Sequence, residues 1–429
     1  MTRVLIANYF FPRGGSAHAT RAQVRELRRQ GVEVTLVTGS RSDRGDDTDA
    51  REFYVGLDPV AVDFAPALRT PQPLRFHGGA GTAPIHGSFE DRPGAADAVL
   101  ASLDDEELEL QVAAWTLALG AVDRDAVDVL YLHHLTPMNE AAARAFPGLP
   151  VVGHLHGTEL LMMEQIAAGA PPGWTHAAAW MERMCGWAAA CARLVVADRR
   201  GRDRAAAVLG LDRERFACIP SGVDPYFEPR AIDRGAHWRR HLGAEPPGTV
   251  FVYVGRFTAV KRLPLLIEAF TRARAQASSP ASLVLVGGHP GEWEDEHPRA
   301  TIERLGAGDV FLAGWHPHRA LPSFLNAADA LVHAAAREQF GQVLIEAMAC
   351  ELPPIAIDAA GPASIVADGE TGWLVPAEDR DALATAMVAA VEDPRERHRR
   401  GRNARAVALE RYSWDRVAGR TAALLAEVD

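Results

Sequence analysis

The most constraining feature of this chain is a pattern that occurs twice. Val4-Leu5-Ile6-Ala7 is a short apolar run opening into a loop, Pro12 to Ser16, that holds Gly14 and Gly15. Ala22, Val24 and Leu27 then follow at helical spacing, succeeded by Gly31 and a second apolar run from Val32 to Val37. The pattern restarts at Val250, with a strand over Val250 to Val254 and a loop over Gly255 to Lys261. A helix over Leu263 to Ala275 and a strand over Ser282 to Val286, closed by Gly287-Gly288, complete it. Strand, loop, helix and strand make a βαβ unit, and two such beginnings predict two doubly wound α/β domains.

The remaining apolar runs agree. Val127 to Leu132, Val151-Val152 and Leu194 to Ala197 are strand candidates in the first half. Val310 to Leu312, Ala330 to Val332 and Pro354 to Ile357 are candidates in the second. Short runs without polar alternation suit parallel strands covered on both faces. With 429 residues there is ample chain for two cores. We divide it into domains at 1–228 and 229–410 and a closing segment at 411–429. The stretch Asp224 to Pro247, with Pro225, Pro229, Pro246 and Pro247, reads as the connection. Residues 41–120, rich in Gly, Pro and His, read as an insertion on the first domain.

Charge narrows the partners. The net charge is −11, whereas binding a nucleic-acid backbone requires a basic face, so no nucleic-acid partner is expected. The basic stretch Arg395 to Arg405 reads as a solvated helix face. Cys185, Cys191, Cys218 and Cys350 form no Cys-x-x-Cys pair and are expected to be reduced thiols. No apolar run is long enough to span a bilayer, and Met1 to Ala7 reads as a strand and not as a signal peptide. The expectation is a cytoplasmic chain with no integral membrane segment; a homo-oligomer stays open.

Four clusters carry chemistry. Arg256 and Lys261 lie in one loop at a strand's carboxyl end, where open α/β sheets bind ligands; two cations there could clamp a diphosphate or be mere surface charges. Glu338-Gln339-Phe340-Gly341-Gln342-Val343-Leu344-Ile345-Glu346 follows the strand at Ala330 to Val332. A helix beginning near Gly341 would present free N–H groups to phosphate, with Glu346 inside it and Glu338 before it. Both carboxylates could equally be ordinary helix-start charges. Gly14-Gly15-Ser16 lacks the spacing of a dinucleotide fingerprint. His154-Leu155-His156-Gly157-Thr158-Glu159 follows the strand at Val151, where a histidine would point toward a ligand or serve structure.

Together these residues resemble the retaining glycosyltransferases of family four. The resemblance covers nearly the whole chain and is most specific over Val254 to Ala269 and Arg337 to Pro353. Ile219-Pro220-Ser221-Gly222-Val223-Asp224 and the closing Tyr412-Ser413-Trp414 also match. It implies the GT-B fold: two facing Rossmann-like, doubly wound parallel-sheet domains with an interdomain cleft, the last helix returning to the first domain. It implies a nucleotide-diphosphate sugar donor, UDP- or GDP-linked, a small-molecule or glycan acceptor, a front-face retaining mechanism, and no cofactor or metal. Arg256 and Lys261 would hold the diphosphate. Glu338 would bind the donor sugar and Glu346 the ribose. Backbone N–H groups of Gly341, Gln342, Val343 and Leu344 would reach ribose and phosphates. His156 would lie beside the transferred sugar, Gly15 would let the first loop approach the diphosphate or acceptor, and Gly314-Trp315-His316 would border the base.

The chain departs from the family in two places. Glu351 stands where glycine is usual, and Ser364, after Ala360-Gly361-Pro362, stands where many members carry glutamate. Asp123-x-Asp125 and Asp379-x-Asp381 carry the letters of a metal-holding aspartate pair but sit in polar helix-leading stretches, which suggests capping. On the acceptor side the polar candidates are His77, His86, His133 and His134, with Glu90-Asp91-Arg92. A GT-B epimerase, a phosphorylase or a non-catalytic nucleotide-sugar binder would share much of this layout. A dinucleotide oxidoreductase is disfavoured by the missing Gly-x-Gly-x-x-Gly.

Overall fold

The structure is a computed structural model that describes residues 2–12, 14–69, 81–91, 97–288, 296–335, 337–359 and 361–429. His77, Arg92 and Ala360 lie outside the described residues. Two compact units emerge: Met1–Pro220 with Val417–Asp429, and Ser221–Arg416.

The first unit is built on a seven-stranded sheet. Its strands are β1 (Arg3–Asn8), β2 (Glu33–Ser40), β3 (Val60–Asp63), β4 (Val129–His133), β5 (Val151–His154), β6 (Arg193–Val196) and β7 (Phe216–Cys218). Their order is β3-β2-β1-β4-β5-β6-β7, with every neighbour parallel. The second unit holds a six-stranded parallel sheet of β8 (Thr249–Gly255), β9 (Ala281–Gly287), β10 (Val310–Gly314), β11 (Ala330–His333), β12 (Pro354–Ile357) and β13 (Trp373–Val375). Its order is β10-β9-β8-β11-β12-β13, the same winding as the first. In each sheet the chain starts in the middle, winds to one edge, then returns to the other side of its first strand. That reversal is a topological switch point, where loops diverge and leave a crevice at the carboxyl ends. It falls between β1 and β4 in the first unit and between β8 and β11 in the second.

The strands are central because they are apolar throughout. Val4, Leu5, Ile6 and Ala7 are buried, as are Val250 to Tyr253. The second sheet separates two clusters, one around Phe251, Tyr253 and Leu285 and one around Val252, Val284 and Leu331, as alternation across a strand requires.

Several elements differ from the sequence reading. Residues 41–120 are not a simple insertion. Within them β3 extends the main sheet, and the helix Asp105–Leu119, started by a capping box of Asp104 and Glu107, buries Leu108, Val112 and Trp115. The proline-rich connection contains the helix Arg234–Leu242, capped by Asp233, with Trp238 buried. The units divide at Pro220/Ser221 and Arg416/Val417, where the sequence suggested 228/229 and 410/411. Both crossings are tied into the second unit. Val223 N–H donates to the Tyr412 carbonyl at 2.7 Å, and the Trp414 indole sits so close to Gly222 that a Cβ would lie 2.4 Å from its ring. Beyond them the last helix joins the first unit, where Gln23 Nε2 donates to Thr421 Oγ1 at 3.2 Å and Arg193 pairs with Glu427 at 2.8 Å. No helix among the described residues is long and apolar enough to cross a membrane.

Candidate functional site

Polar groups gather at both switch points, and they differ in kind. In the second unit, β8 and β11 are neighbours, Phe251 opposite Ala330. The loops that follow them therefore emerge side by side. Lys261 comes from the first loop and Glu338 from the second; Lys261 Nζ donates to Glu338 Oε2 at 2.5 Å. His333, at the end of β11, lies with Nε2 3.4 Å from the same oxygen. Burial alone would raise the Glu338 pKa, but the Lys261 ammonium and the His333 hydrogen bond outweigh it and hold the carboxyl well below its usual range. Burial lowers the His333 pKa, opposed by Glu338. Arg256 is exposed and makes no ion pair with any described residue. Its backbone is fixed from beneath, since the buried Tyr253 hydroxyl donates to the Arg256 carbonyl at 2.7 Å.

The glycines allow this crowding. A Cβ on Gly287, φ +138°, would meet the Gly255 carbonyl at 1.9 Å, so β9 can finish against β8 only with glycine at that position. Gly341, φ +101°, precedes the helix Gln342–Ala349 and turns the chain into it. The first N–H groups of that helix have no intrahelical partner. Leu344 is the exception to our expectation: its N–H donates to the Gly341 carbonyl at 2.9 Å and its side chain is fully buried. The first turn thus has already consumed that donor, leaving Gly341, Gln342 and Val343 as the backbone donors. The Gln342 side chain is turned away and donates to the Gly222 carbonyl at 2.8 Å.

Glu346 is 2% exposed, one turn inside the helix. His318 Nε2 lies 2.7 Å from Glu346 Oε1, and His318 Nδ1 lies 2.7 Å from the Tyr226 hydroxyl. This three-residue line fixes the carboxylate, and sequence reasoning missed it. The only signal was the loop Gly314-Trp315-His316, which stops two residues short of His318. Trp315 is 52% exposed, while the His316 ring packs on Phe324 at 4.4 Å. Ser364 Oγ donates to the Gly361 carbonyl at 2.7 Å. A depression of about 550 Å³ beside Leu265 is lined by Glu268, Glu378, Asp379, Arg380 and Asp381, with Glu268 paired to Arg380, Glu378 to Arg262 and Asp381 to Arg272.

In the first unit the switch point is a stack of imidazoles. Register pairs Asn8 with His133 and His133 with His154 across β1, β4 and β5, so the two rings stand side by side with centroids 4.9 Å apart. His156 stacks on His154 at 4.3 Å, and His133 Nδ1 lies 2.8 Å from His156 Nε2. His134 joins at 4.4 Å from the His156 ring, with its backbone at φ +69° in the left-handed region. Left-handed backbone costs a residue with a Cβ about 1–3 kcal/mol and collects at functional sites. Burial lowers the pKa of His133 and His156 far below the ordinary value and that of His154 to about 4, with neighbouring imidazoles adding to the effect. Glu159 is fully buried; burial raises its pKa, but His134, 3.5 Å away, and the His156 N–H at 2.9 Å lower it on balance.

The other acceptor-side candidates separate from this stack. His86 is buried, its Nδ1 3.0 Å from Asp97 Oδ1 and its ring against Phe11 and Phe64; Phe10 touches both His86 and His134. Gly15, exposed with open space around it, begins the helix Gly15–Arg29. The aspartate pairs are capping groups: Asp123 accepts from Asp125 N–H, and Asp379 accepts from Asp381 and Ala382 N–H. Trp180 is buried, its indole N–H donating to the Leu103 carbonyl at 2.9 Å.

Two parallel sheets wound alike, each with polar loops at its switch point, are the architecture of GT-B glycosyltransferases. Residues 236–407 match the family described as "Glycosyl transferases group 1", and residues 89–227 match "Glycosyltransferase Family 4". The D-inositol 3-phosphate glycosyltransferase of Acidothermus cellulolyticus is 30% identical over 74% of this chain and 71% of its own. D-inositol 3-phosphate glycosyltransferase 2 of Catenulispora acidiphila is 28% identical over 96% of this chain and 90% of its own. Among solved structures, Anabaena HepE in complex with UDP and glucose has a TM-score of 0.73 at 19% identity, each chain covered in full. Sucrose-phosphate synthase from Thermosynechococcus elongatus has a TM-score of 0.71 at 19% identity, covering 99% of both. The chain belongs to glycosyltransferase family four and is a glycosyltransferase.

Proposed function

We propose that this enzyme transfers a sugar from a nucleoside-diphosphate donor to a hydroxyl of a small molecule or glycan, with retention and with no metal ion on the diphosphate. The observation that carries this reading is the meeting of Lys261 with Glu338, 77 positions apart in sequence, at the second switch point, in the same loop as Arg256, which pairs with no described residue. Lys261 has three N–H donors, so it can keep Glu338 and still reach a phosphate oxygen. Arg256, Lys261 and the N–H groups of Gly341 to Val343 supply fixed positive potential where the leaving diphosphate gains charge. A metal would duplicate that role, and in both aspartate pairs that resemble a metal motif the first carboxylate is spent on a cap.

Glu346, fixed by His318, is suited to the ribose hydroxyls, and Glu338, ionised and held, to hydroxyls of the donor sugar. As the anomeric C–O bond breaks, its electron pair goes to the diphosphate. The acceptor oxygen forms the new bond on the same face, and its proton passes to a diphosphate oxygen. His156 is assigned to the transferred sugar, and the rings of His133 and His154 beside it, which burial keeps neutral, suit a polar, uncharged edge. UDP is the first base to try, because the HepE structure holds UDP. D-inositol 3-phosphate is the first acceptor to try, because the relatives are named for it.

The test is thermal unfolding with UDP, GDP, ADP, CMP and dTDP, each with and without EDTA. A ligand at a hundred times its dissociation constant stabilises by about 2.7 kcal/mol. Stabilisation by one diphosphate, unchanged by EDTA, is expected; its absence for all five would overturn the donor assignment. NMR of the product then reads the anomeric configuration. Turnover to a C2 epimer without acceptor would favour an epimerase, and protection of intact donor without turnover would favour a binder.

A further inference from the structure

We propose that His133, His154 and His156 form a site for one borderline transition-metal ion of the Zn2+ class, distinct from the donor site, and that filling it shuts transfer off. One nitrogen from each ring lies within 4.8 Å of the other two. Tetrahedral bonds of about 2.1 Å place ligand nitrogens about 3.4 Å apart. The His133–His156 pair at 2.8 Å would open slightly and the third nitrogen would close in.

Four further observations favour an ion over a plain ring stack. First, His133 Nδ1 and His156 Nε2 already turn toward each other, 2.8 Å apart, so two ring nitrogens from different strand ends share one small region. Second, His154 Nδ1 lies 2.8 Å from the Tyr131 hydroxyl. With the proton on Nδ1 donated to that oxygen, His154 Nε2 presents its lone pair, the outer-shell arrangement that orients a ligating histidine. Gln23 Nε2 holds the same hydroxyl at 3.3 Å. Third, the buried Glu159 carboxylate, beside His134, supplies negative charge near a dication. Fourth, His133 is buried while His154 and His156 are half-buried, so the cluster opens on one side, leaving a fourth position for water. Three imidazoles select zinc, cobalt, nickel or copper over magnesium or calcium, which need oxygen ligands.

Binding does not depend on the proposed function. The loss of transfer does, since it rests on His156 standing beside the transferred sugar: a ring committed to an ion cannot serve there. The probe is Co2+ alone, titrated into the full chain after EDTA treatment and dialysis. One equivalent with the intense visible bands of four-coordinate cobalt, bleached by Zn2+, is expected. His154→Gln and His133→Gln should each abolish those bands, and Tyr131→Phe should weaken binding about tenfold. Near-ultraviolet circular dichroism and urea unfolding at the parent midpoint report that the first unit of each variant folds, and UDP-induced stabilisation, assigned to the other unit, should survive in all three. No stoichiometric cobalt, a weak six-coordinate spectrum, or equal binding by the glutamine variants would overturn the site. Zn2+ should lower transfer at least about tenfold, and EDTA should restore it. Unchanged transfer with the site full would overturn the regulatory half. A chain that binds cobalt but shows no transferase activity would count against the proposed function alone.

Discussion

The two switch points are the same piece of topology furnished in opposite ways. At the first, between β1 and β4, the side chains are imidazoles that burial keeps neutral, with the single carboxylate Glu159 tucked behind them. At the second, between β8 and β11, they are full charges: Arg256 exposed, Lys261 on Glu338, and Glu346 on His318. Sheet winding provides a crevice but not its chemistry. A crevice lined with fixed cations suits a ligand that is already anionic and becomes more so as a bond breaks. One lined with neutral rings suits a hydroxylated partner, or a metal ion, that must not be repelled. Under the proposed function the donor is assigned to the second switch point, and that assignment can be broken by mutation.

The largest effect is expected from Lys261→Ala. It removes the cation assigned to the leaving diphosphate and leaves the buried Glu338 with His333 as its remaining partner, so transfer should fall about 10²–10³-fold and UDP stabilisation should shrink as well. His156→Ala should also depress transfer while leaving UDP stabilisation at the parent value. Steady-state rates and thermal shifts on both variants check this. If both lose UDP binding alike, the division of labour between the two ends is wrong.

A smaller effect sharpens the description of the charged end. His318→Phe removes the partner that holds the buried Glu346 carboxylate. A hydrogen bond to a charged group contributes about 1.5–3 kcal/mol, so UDP affinity should fall at least about tenfold. The rate at saturating donor should change little, because Glu346 is assigned to the ribose and not to the reacting carbon. Calorimetry with UDP, set beside KM and kcat, separates the two. A fall in kcat at constant KM would move Glu346 to the sugar.

How much of this was legible beforehand depends on how far apart the cooperating residues lie. Pro354–Ile357 was readable to the residue, because an apolar run is a local signal. The strand Val60–Asp63 was not, since only Val62 among its residues is fully buried and the run looks like loop. The helix Arg234–Leu242 hid between prolines. Lys261 and Glu338 could each be nominated from their loops, but their contact is a product of β8 lying beside β11. The imidazole stack is likewise a matter of register: nothing in the sequence says that His133 pairs with His154.

Histidines away from the switch points test whether neutrality is special to the first end. His237, on the helix Arg234–Leu242, packs on Phe324 at 4.7 Å, and its Nε2 is buried without a partner. Burial, with His241, His316 and Arg240 adding repulsion, lowers its pKa to about 4. The unfolded chain takes up this proton below about pH 6.5, so it binds more protons than the folded one between there and about pH 4. Stability should therefore fall on acidification across that window, by at most about 1.4 kcal/mol per pH unit from this residue. Urea unfolding at stepped pH should show a shallower decline for His237→Phe. An unchanged slope would mean that His237 titrates alike folded and unfolded.

The smallest expected effect concerns how helices stop. The first unit ends Arg199–Leu209 with Gly210 at φ +65°, where the missing Cβ makes left-handed backbone cheap. The second ends Gln342–Ala349 with the same geometry but a different residue, Glu351 at φ +61°. Its N–H donates to the Met348 carbonyl at 3.0 Å, and the Leu352 N–H donates to that of Ala347 at 2.9 Å, with Leu352 buried behind them. That is the double hydrogen bond of a Schellman stop, which favours glycine at this position. What the glutamate gains in return is slight, since its carboxylate is exposed and 3.9 Å from Arg405 Nε. Glu351→Gly should therefore stabilise the chain by about 1 kcal/mol, which raises the melting temperature of a unit this size by about 2–4 °C. Glu351→Ala keeps a Cβ and should gain nothing, so the pair separates backbone strain from charge. A gain in both variants would make repulsion of the carboxylate the cause, and a loss in both would give the Arg405 contact a weight that its distance does not suggest.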